Sequence, residues 1–295
     1  MAPLDPPTAA NAAPAWLDQR WTVNLSILFT ELPLLERPAA AAAAGFDSAE
    51  LWWTLDGPTP PQAELDALRR AFTDAGVRLT GLNFDAGDMA GGSKGLLSRP
   101  DEVQQFRDNI PVAVALADSL GCRALNALYG NRIDGLDPRV QDELALENLA
   151  LAAHAAHGIG AVLLVEALNA PEAPQYGLLS SKDAVAVVDQ VNAHTGLGNA
   201  RFLCDLYHLA RNGEDLPQVI DGYADRIGHI QIADAPGRNQ PGTGSLDFAG
   251  LFGRLDAVGY EGHVGLEYKA PAGLAGADTL GWLPRELRGG ERRSR

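Results

Sequence analysis

Cysteine is scarce: Cys122 and Cys204 are the only two in 295 residues. They form no C-x-x-C pair, which argues against a disulfide framework or a zinc knuckle and fits a reducing, cytoplasmic setting. Basic residues are also few. Lys and Arg total 23 against 38 Asp and Glu, giving a net charge of −15. A chain this acidic is a poor partner for nucleic acid, because neutralising phosphates needs a basic surface. Small anionic substrates stay open, since one local arginine or metal ion outweighs a distant field. No apolar run approaches the ~20 residues of a membrane helix, so no membrane partner is expected. The start, "MAPLDPPTAANAAPAW", has neither a basic opening nor a continuous apolar core. It reads as a disordered leader over 1–20, not a secretory signal. Residues 284–295 read as a flexible basic tail, leaving one domain over 21–283.

Glycine is missing where one rival fold would need it. The first strand runs into "NLSILFTELP" without a glycine, whereas an open doubly wound sheet carries a glycine-rich phosphate turn there.

What is present is alternation. Hydrophobic residues make up 46% of the chain and charged ones 21%, enough apolar content for a sizeable core. Strands are predicted near Thr22–Leu25, Ser48–Trp53, Arg78–Asn83, Ala124–Ala127, Ala161–Glu166, Arg201–Asp205, Ile227–Ile232 and His263–Glu267. Helices are predicted between them, at Leu34–Ala44, Pro61–Ala75, Asp101–Leu120, Pro138–His157, Lys182–His194, Leu216–Tyr223 and Phe248–Val258. Gly45, Gly76 and Gly121 follow three of these helices as C-terminal stops, and Asp101 and Ser181 suit N-caps. This is the pattern of an α/β fold, a (β/α)8 TIM barrel.

In such a barrel the C-terminal strand ends build the active site. Those ends carry Asn24, Glu50, Asn83, Asn126, Glu166, Asp205, Gln231 and Glu267. All are polar. Glu166, Asp205, Gln231 and Glu267 come from four successive strands and converge. Three carboxylates do not crowd there unpaired, because like charges force protonation. A divalent cation resolves the conflict, and an all-oxygen set suits Mg²⁺ or Mn²⁺. Any one of these residues alone would equally suit a salt bridge or a helix cap at the rim.

His208 lies one turn past Asp205 in "CDLYH", placed for a substrate oxygen or for a backbone carbonyl. Arg238, in the stiff loop "IADAPGRNQPGTGSLDF", suits a carboxylate or phosphate, or plain solvent exposure. The loop "NFDAGDMAGGSKG" lacks the spacing of a nucleotide site; it reads as a flexible cover with Lys94 near its tip. Of Trp52 and Trp53, at most one faces the mouth. Cys204 points away from it. Asn83, Glu50 and Lys94 join His208 and Arg238 as candidate substrate-binding residues.

The stretches "NLSILFTELPLLERPAAAAAAGFDSAEL", "VEALN", "CDLYH", "IGHIQIADAPGRNQPGTGSLDF" and "GLEYK" together resemble the hydroxypyruvate isomerase family of xylose isomerase-like TIM barrels. The similarity runs from about Trp21 to Trp282. It implies a metal-dependent aldose–ketose type isomerase. The expected reaction converts hydroxypyruvate to tartronate semialdehyde through an enediolate. The family's ligand positions fall on Glu166, Asp205, Gln231 and Glu267. Glu166 and Glu267 match its acid/base pair, and His208 matches a substrate-contacting histidine of related ketose epimerases. Those epimerases carry histidine where this chain has Gln231. The chain departs from the family at "WWTLDGP", at "GLNFDAGD" and at Gly244–Ser245, where an acid is usual. The stretch "VEALNAPEAPQYGLLSS" looks closer to the sister 2-oxotetronate isomerases. Alternatives are a 2-oxotetronate isomerase, a ketose 3-epimerase, more distantly a sugar-acid dehydratase or an endonuclease-IV-like hydrolase, or a barrel that only binds a sugar acid. A homo-oligomer is compatible with all of these.

Overall fold

Parallel strands need long crossovers, and a helix between each pair supplies them. The computed structural model describes residues 17–289 and shows this arrangement. The strands are β1 (Arg20–Asn24), β2 (Ser48–Leu51), β3 (Arg78–Asn83), β4 (Ala124–Asn126), β5 (Val162–Glu166), β6 (Ala200–Asp205), β7 (Ile227–Ile232) and β8 (His263–Leu266). They pair in chain order, all parallel, and β8 closes on β1. The helices are α1 (Arg37–Ala44), α2 (Gln62–Ala75), α3 (Val103–Ser119), α4 (Pro138–Gly158), α5 (Ser181–Thr195), α6 (Leu206–Arg211), α7 (Leu216–Tyr223) and α8 (Phe248–Ala257).

Most elements match their predicted spans within a residue or two. Leu34–Glu36 is a 3₁₀ turn before α1, not its first turn. The N-caps sit one residue away from those predicted. Ser180, not Ser181, caps α5, its hydroxyl accepting from the Asp183 N–H. Glu102, not Asp101, precedes α3, with no side-chain cap. Helix α6 is an addition: Asp205 ends β6 and caps it, accepting from the N–H groups of Tyr207 and His208. Of the expected leader, residues 1–16 lie outside the described residues. Leu17 is buried, and its carbonyl accepts from the Trp21 indole at 2.8 Å. In the segment read as a tail, Arg285–Leu287 forms a 3₁₀ turn. Arg288 then donates to the carbonyls of Ala44, Leu280 and Leu283, tying this end to α1.

The large apolar core fills the space between barrel and helices. A separate small cluster, Ala124, Leu164 and Leu203, lies inside the barrel. Each of these stands two residues before a polar strand end, so all share the inward face. Deeper polar side chains fill the rest of that interior. Thr22 and Thr80 share a hydrogen bond of 2.7 Å, and His229 Nε2 lies 2.6 Å from Glu50 Oε1.

Candidate active site

At the C-terminal face, Glu166, Asp205, His208 and Glu267 each offer an atom, all within 4.8 Å of one another and all buried. The predicted carboxylates therefore do converge. Gln231 sits in register with Asp205 on one side and Gly265 on the other. Its Nε2 donates to Glu50 Oε2 at 2.7 Å and lies 3.3 Å from Glu267 Oε1. Its Oε1 is buried with no hydrogen-bond partner among the described residues.

The three acids differ in how their charge is met. Glu267 is well supplied: Oε1 accepts from Asn24, Trp52 and Gln231, and Oε2 from Arg238 at 2.7 Å. Glu166 has one side-chain donor, Asn126 on Oε2 at 2.9 Å. Burial pushes the Glu166 carboxyl well above its usual range, with the charges of Glu267 and Asp205 adding to it. Burial likewise raises Asp205 well above the ordinary value, with Glu267 next, although the N–H groups of helix α6 work the other way. Burial raises Glu267 too, and Arg238 and Trp52 oppose it. One arginine against three buried carboxylates leaves the cluster short of positive charge. An orphaned amide oxygen beside three such carboxylates is a donor set that fits a hard divalent cation.

His208 takes a different part from the carboxylates. Its Nδ1 lies 3.1 Å from the Asn169 backbone N–H, which can only donate. Nδ1 is thus the acceptor, and the proton of the neutral ring sits on Nε2. Burial holds this imidazole well below its ordinary pKa, with Arg238 and Lys94 adding to the effect. Nε2 stands 3.8 Å from Asp205 Oδ2 and 4.0 Å from Glu166 Oε1. It faces the cluster as an N–H donor, which favours the predicted contact with a substrate oxygen over metal ligation.

A cavity of about 1110 Å³ opens over the cluster. Asn83, Glu166, His208, Arg238, Glu267 and Lys94, all candidates from the sequence, line it. Trp52 faces the cavity, while Trp53 turns away and donates to the Gly57 carbonyl. Met89 and Ala90 bring the β3 loop over the opening. Arg238 is more engaged than its motif shows. It is 2.7 Å from Glu267 and 3.5 Å from Glu172, and its guanidinium stacks on the Tyr207 ring. Its backbone is left-handed, φ 56°, pinned by the Lys269 N–H donating to its carbonyl.

One candidate is displaced. Glu50 does not line the cavity; it lies in the barrel interior, between His229 and Gln231. Its strand-end position is right, but β7 presents two donors to it, and they draw the carboxylate inward. Ser245, where an acid was missed, is exposed on a separate groove with Asp247 and Arg254. The loop it belongs to is held by Asp234, which accepts from Gly242, Gly244 and Leu246. The missing acid therefore takes nothing from the cluster. Sequence reasoning overlooked His229, Asn169, Glu172 and Tyr207. His229 stands two residues before Gln231 in "IGHIQI", so strand alternation alone puts it on the same inward face. The other three lie in loops or on α6, where no period marks them.

The family model for the xylose isomerase-like TIM barrel matches residues 38–286. A protein of Streptomyces coelicolor, provisionally named a hydroxypyruvate isomerase, is 66% identical over 90% of this chain and 96% of its own. The hydroxypyruvate isomerase of Escherichia coli is 32% identical, over 85% and 93%. A 2-oxo-tetronate isomerase of Pectobacterium atrosepticum is 33% identical, over 89% and 96%. Among solved structures, a Brucella melitensis protein described as an AP endonuclease of family 2 is 34% identical. It superposes with a TM-score of 0.80, covering 90% of this chain and 97% of that one.

Proposed function

The chain belongs to the xylose isomerase-like TIM-barrel family and is an isomerase; on that premise we propose that it interconverts hydroxypyruvate and tartronate semialdehyde. The observation that carries this reading is the cluster of Glu166, Asp205 and Glu267, joined by Gln231, whose Nε2 donates to Glu267 and whose Oε1 has no hydrogen-bond partner among the described residues. These four residues would hold a divalent cation, Mg²⁺ or Mn²⁺, which when bound polarises the substrate carbonyl and stabilises developing negative charge.

The side chains do the rest. Glu166, with a single donor and one uncommitted oxygen, is the stronger base and takes a proton from the carbon bearing the hydroxyl. The resulting enediolate receives that proton back at the neighbouring carbon, while the hydroxyl proton of the first carbon passes to the oxygen of the second, leaving an aldehyde and a new hydroxyl. Glu267, with donors on both oxygens, stays charged and keeps Arg238 over the site. The His208 Nε2–H donates to the substrate oxygen where charge builds. Asn83 lines the same wall. Lys94 also lines the cavity and has no ion-pair partner among the described residues, so it suits the substrate carboxylate better than the committed Arg238. Glu166→Gln and Glu267→Gln should each lower turnover at least ~100-fold, the first by removing the base and the second by removing charge from the cluster. Near-normal activity in either, with the variant folded, contradicts the scheme.

A longer hydroxy-oxo acid of the 2-oxo-tetronate type is the second reading. It is favoured by a cavity of about 1110 Å³, generous for a three-carbon acid. A DNA-directed role is disfavoured by the net charge of −15. Both cysteines are free and buried, which agrees with a reducing, cytoplasmic setting. No helix of the described residues is long and apolar enough to cross a membrane.

A further inference from the structure

We infer that Asn169 is a positioning residue: it locks the single ring proton of His208 onto Nε2, so that this histidine meets the site as a donor and not as a cation ligand. A neutral imidazole has two tautomers of the same shape, and the partner of one nitrogen decides what the other presents. The Asn169 backbone N–H donates to Nδ1 at 3.1 Å, and its side-chain Nδ2 lies 2.7 Å from the same atom. The amide is not free to offer its oxygen there instead. Its Oδ1 already accepts from the Glu172 N–H at 2.9 Å, and a backbone N–H only donates. Turned round, the amide would set Nδ2 against that N–H. Both groups facing Nδ1 are therefore donors, and Nδ1 is the bare nitrogen.

The loop after β5 is built to hold this arrangement. Asn169 is 0% exposed and His208 4%, so water does not take over either contact. Asn212, the C-cap of α6, fastens the chain on both sides of Asn169. Its Oδ1 accepts from the Ala170 N–H at 2.9 Å, and its Nδ2 donates to the carbonyls of Leu168 at 3.0 Å and Leu179 at 2.8 Å. The loop is thus tied to the same helix that carries His208. The consequence falls on Nε2, which stands 3.8 Å from Asp205 Oδ2 and 4.0 Å from Glu166 Oε1. A cation ligand needs a lone pair at that nitrogen, and the lock leaves a proton there. His208 therefore stays outside the ligand set although it stands among the carboxylates. Its donor role toward substrate rests on the function proposed above; the tautomer itself does not.

The test reads the tautomer directly. Long-range proton–nitrogen NMR spectra of isotope-labelled protein, without cation or substrate, distinguish a bare ring nitrogen from a protonated one. The His208 signals are identified by their loss in His208→Gln. The parent should show a bare Nδ1 and a protonated Nε2. In Asn169→Asp, a change that keeps the shape, one carboxylate oxygen keeps the Glu172 N–H and the other faces Nδ1, from which it can only accept. Burial, with Arg238 and Lys94, disfavours a second proton on the ring. The single proton should therefore move to Nδ1 and leave Nε2 bare. In the cation-loaded enzyme kcat should then fall ~100-fold, the usual cost of losing one donor aimed at developing charge. The inference is overturned if the parent carries its proton on Nδ1, if folded Asn169→Asp keeps the parent's ring spectrum, or if its Nε2 is bare and kcat is unchanged. The parent spectrum decides the tautomer even where Asn169→Asp does not fold. A parent that turns over neither hydroxypyruvate nor 2-oxotetronate contradicts the proposed function, while the spectra still decide the lock.

Discussion

Burial pushes the His263 imidazole down to about 4, with the nearby charges of His229 and Arg20 adding to the effect. Its Nε2 has no hydrogen-bond partner among the described residues. In the unfolded chain the same group titrates near ~6.5. Between those values the unfolded chain binds a proton that the folded protein refuses. The contribution is therefore fully present above about pH 6.5 and is lost as pH falls toward 4. His263→Phe should flatten the decline of urea-unfolding stability between pH 7 and pH 5; an unchanged slope contradicts the assignment. At this scale the strand-end residues were legible in the sequence, because alternation fixes which side chains enter the barrel. Glu166, Asp205, Gln231 and Glu267 all fall where that rule puts them. Glu50 obeys the same rule but lies deeper, since its direction depends on His229 and Gln231, which are far away in sequence.

The elements follow from periodicity and caps, and their errors have causes. Helix α6 escaped notice because six residues give less than two turns, too few for a period to show. What marks it is Asp205, which reads as a strand-end acid and also caps the helix through Oδ1, leaving Oδ2 for the site. The caps of α3 and α5 were misplaced by one residue, which is the usual limit when two polar residues stand together at a helix start. The α5 cap provides a direct test. Ser180 Oγ accepts from the Asp183 N–H at 3.1 Å and donates to its carboxylate. Ser180→Ala should lower unfolding stability by ~1 kcal/mol and leave kcat unchanged, since α5 lies outside the cavity. A loss below a few tenths of a kcal/mol in chemical denaturation would show that the cap is dispensable.

For the whole molecule, a closed parallel barrel brings the polar C-terminal ends of eight strands to one end. That is why the fold and the cluster were both readable from the chain, while the way the loop residues around the large cavity meet one another was not. Loops contribute Lys94, Glu172 and Arg238, and their mutual placement depends on tertiary contacts alone. The cation is expected to bear on global stability as well as on turnover. A ligand that binds only the folded state at ~100 times its Kd stabilises by ~2.7 kcal/mol, enough to raise Tm by several degrees. The most direct measurement strips the protein with a chelator, restores Mg²⁺, Mn²⁺ or Co²⁺, and follows hydroxypyruvate conversion with a coupled reductase, with 2-oxotetronate in parallel. The account predicts that turnover and Tm fall together on stripping, and that both return with the cation on at least one substrate. Full turnover in chelator, or a cluster that binds no cation, would contradict it.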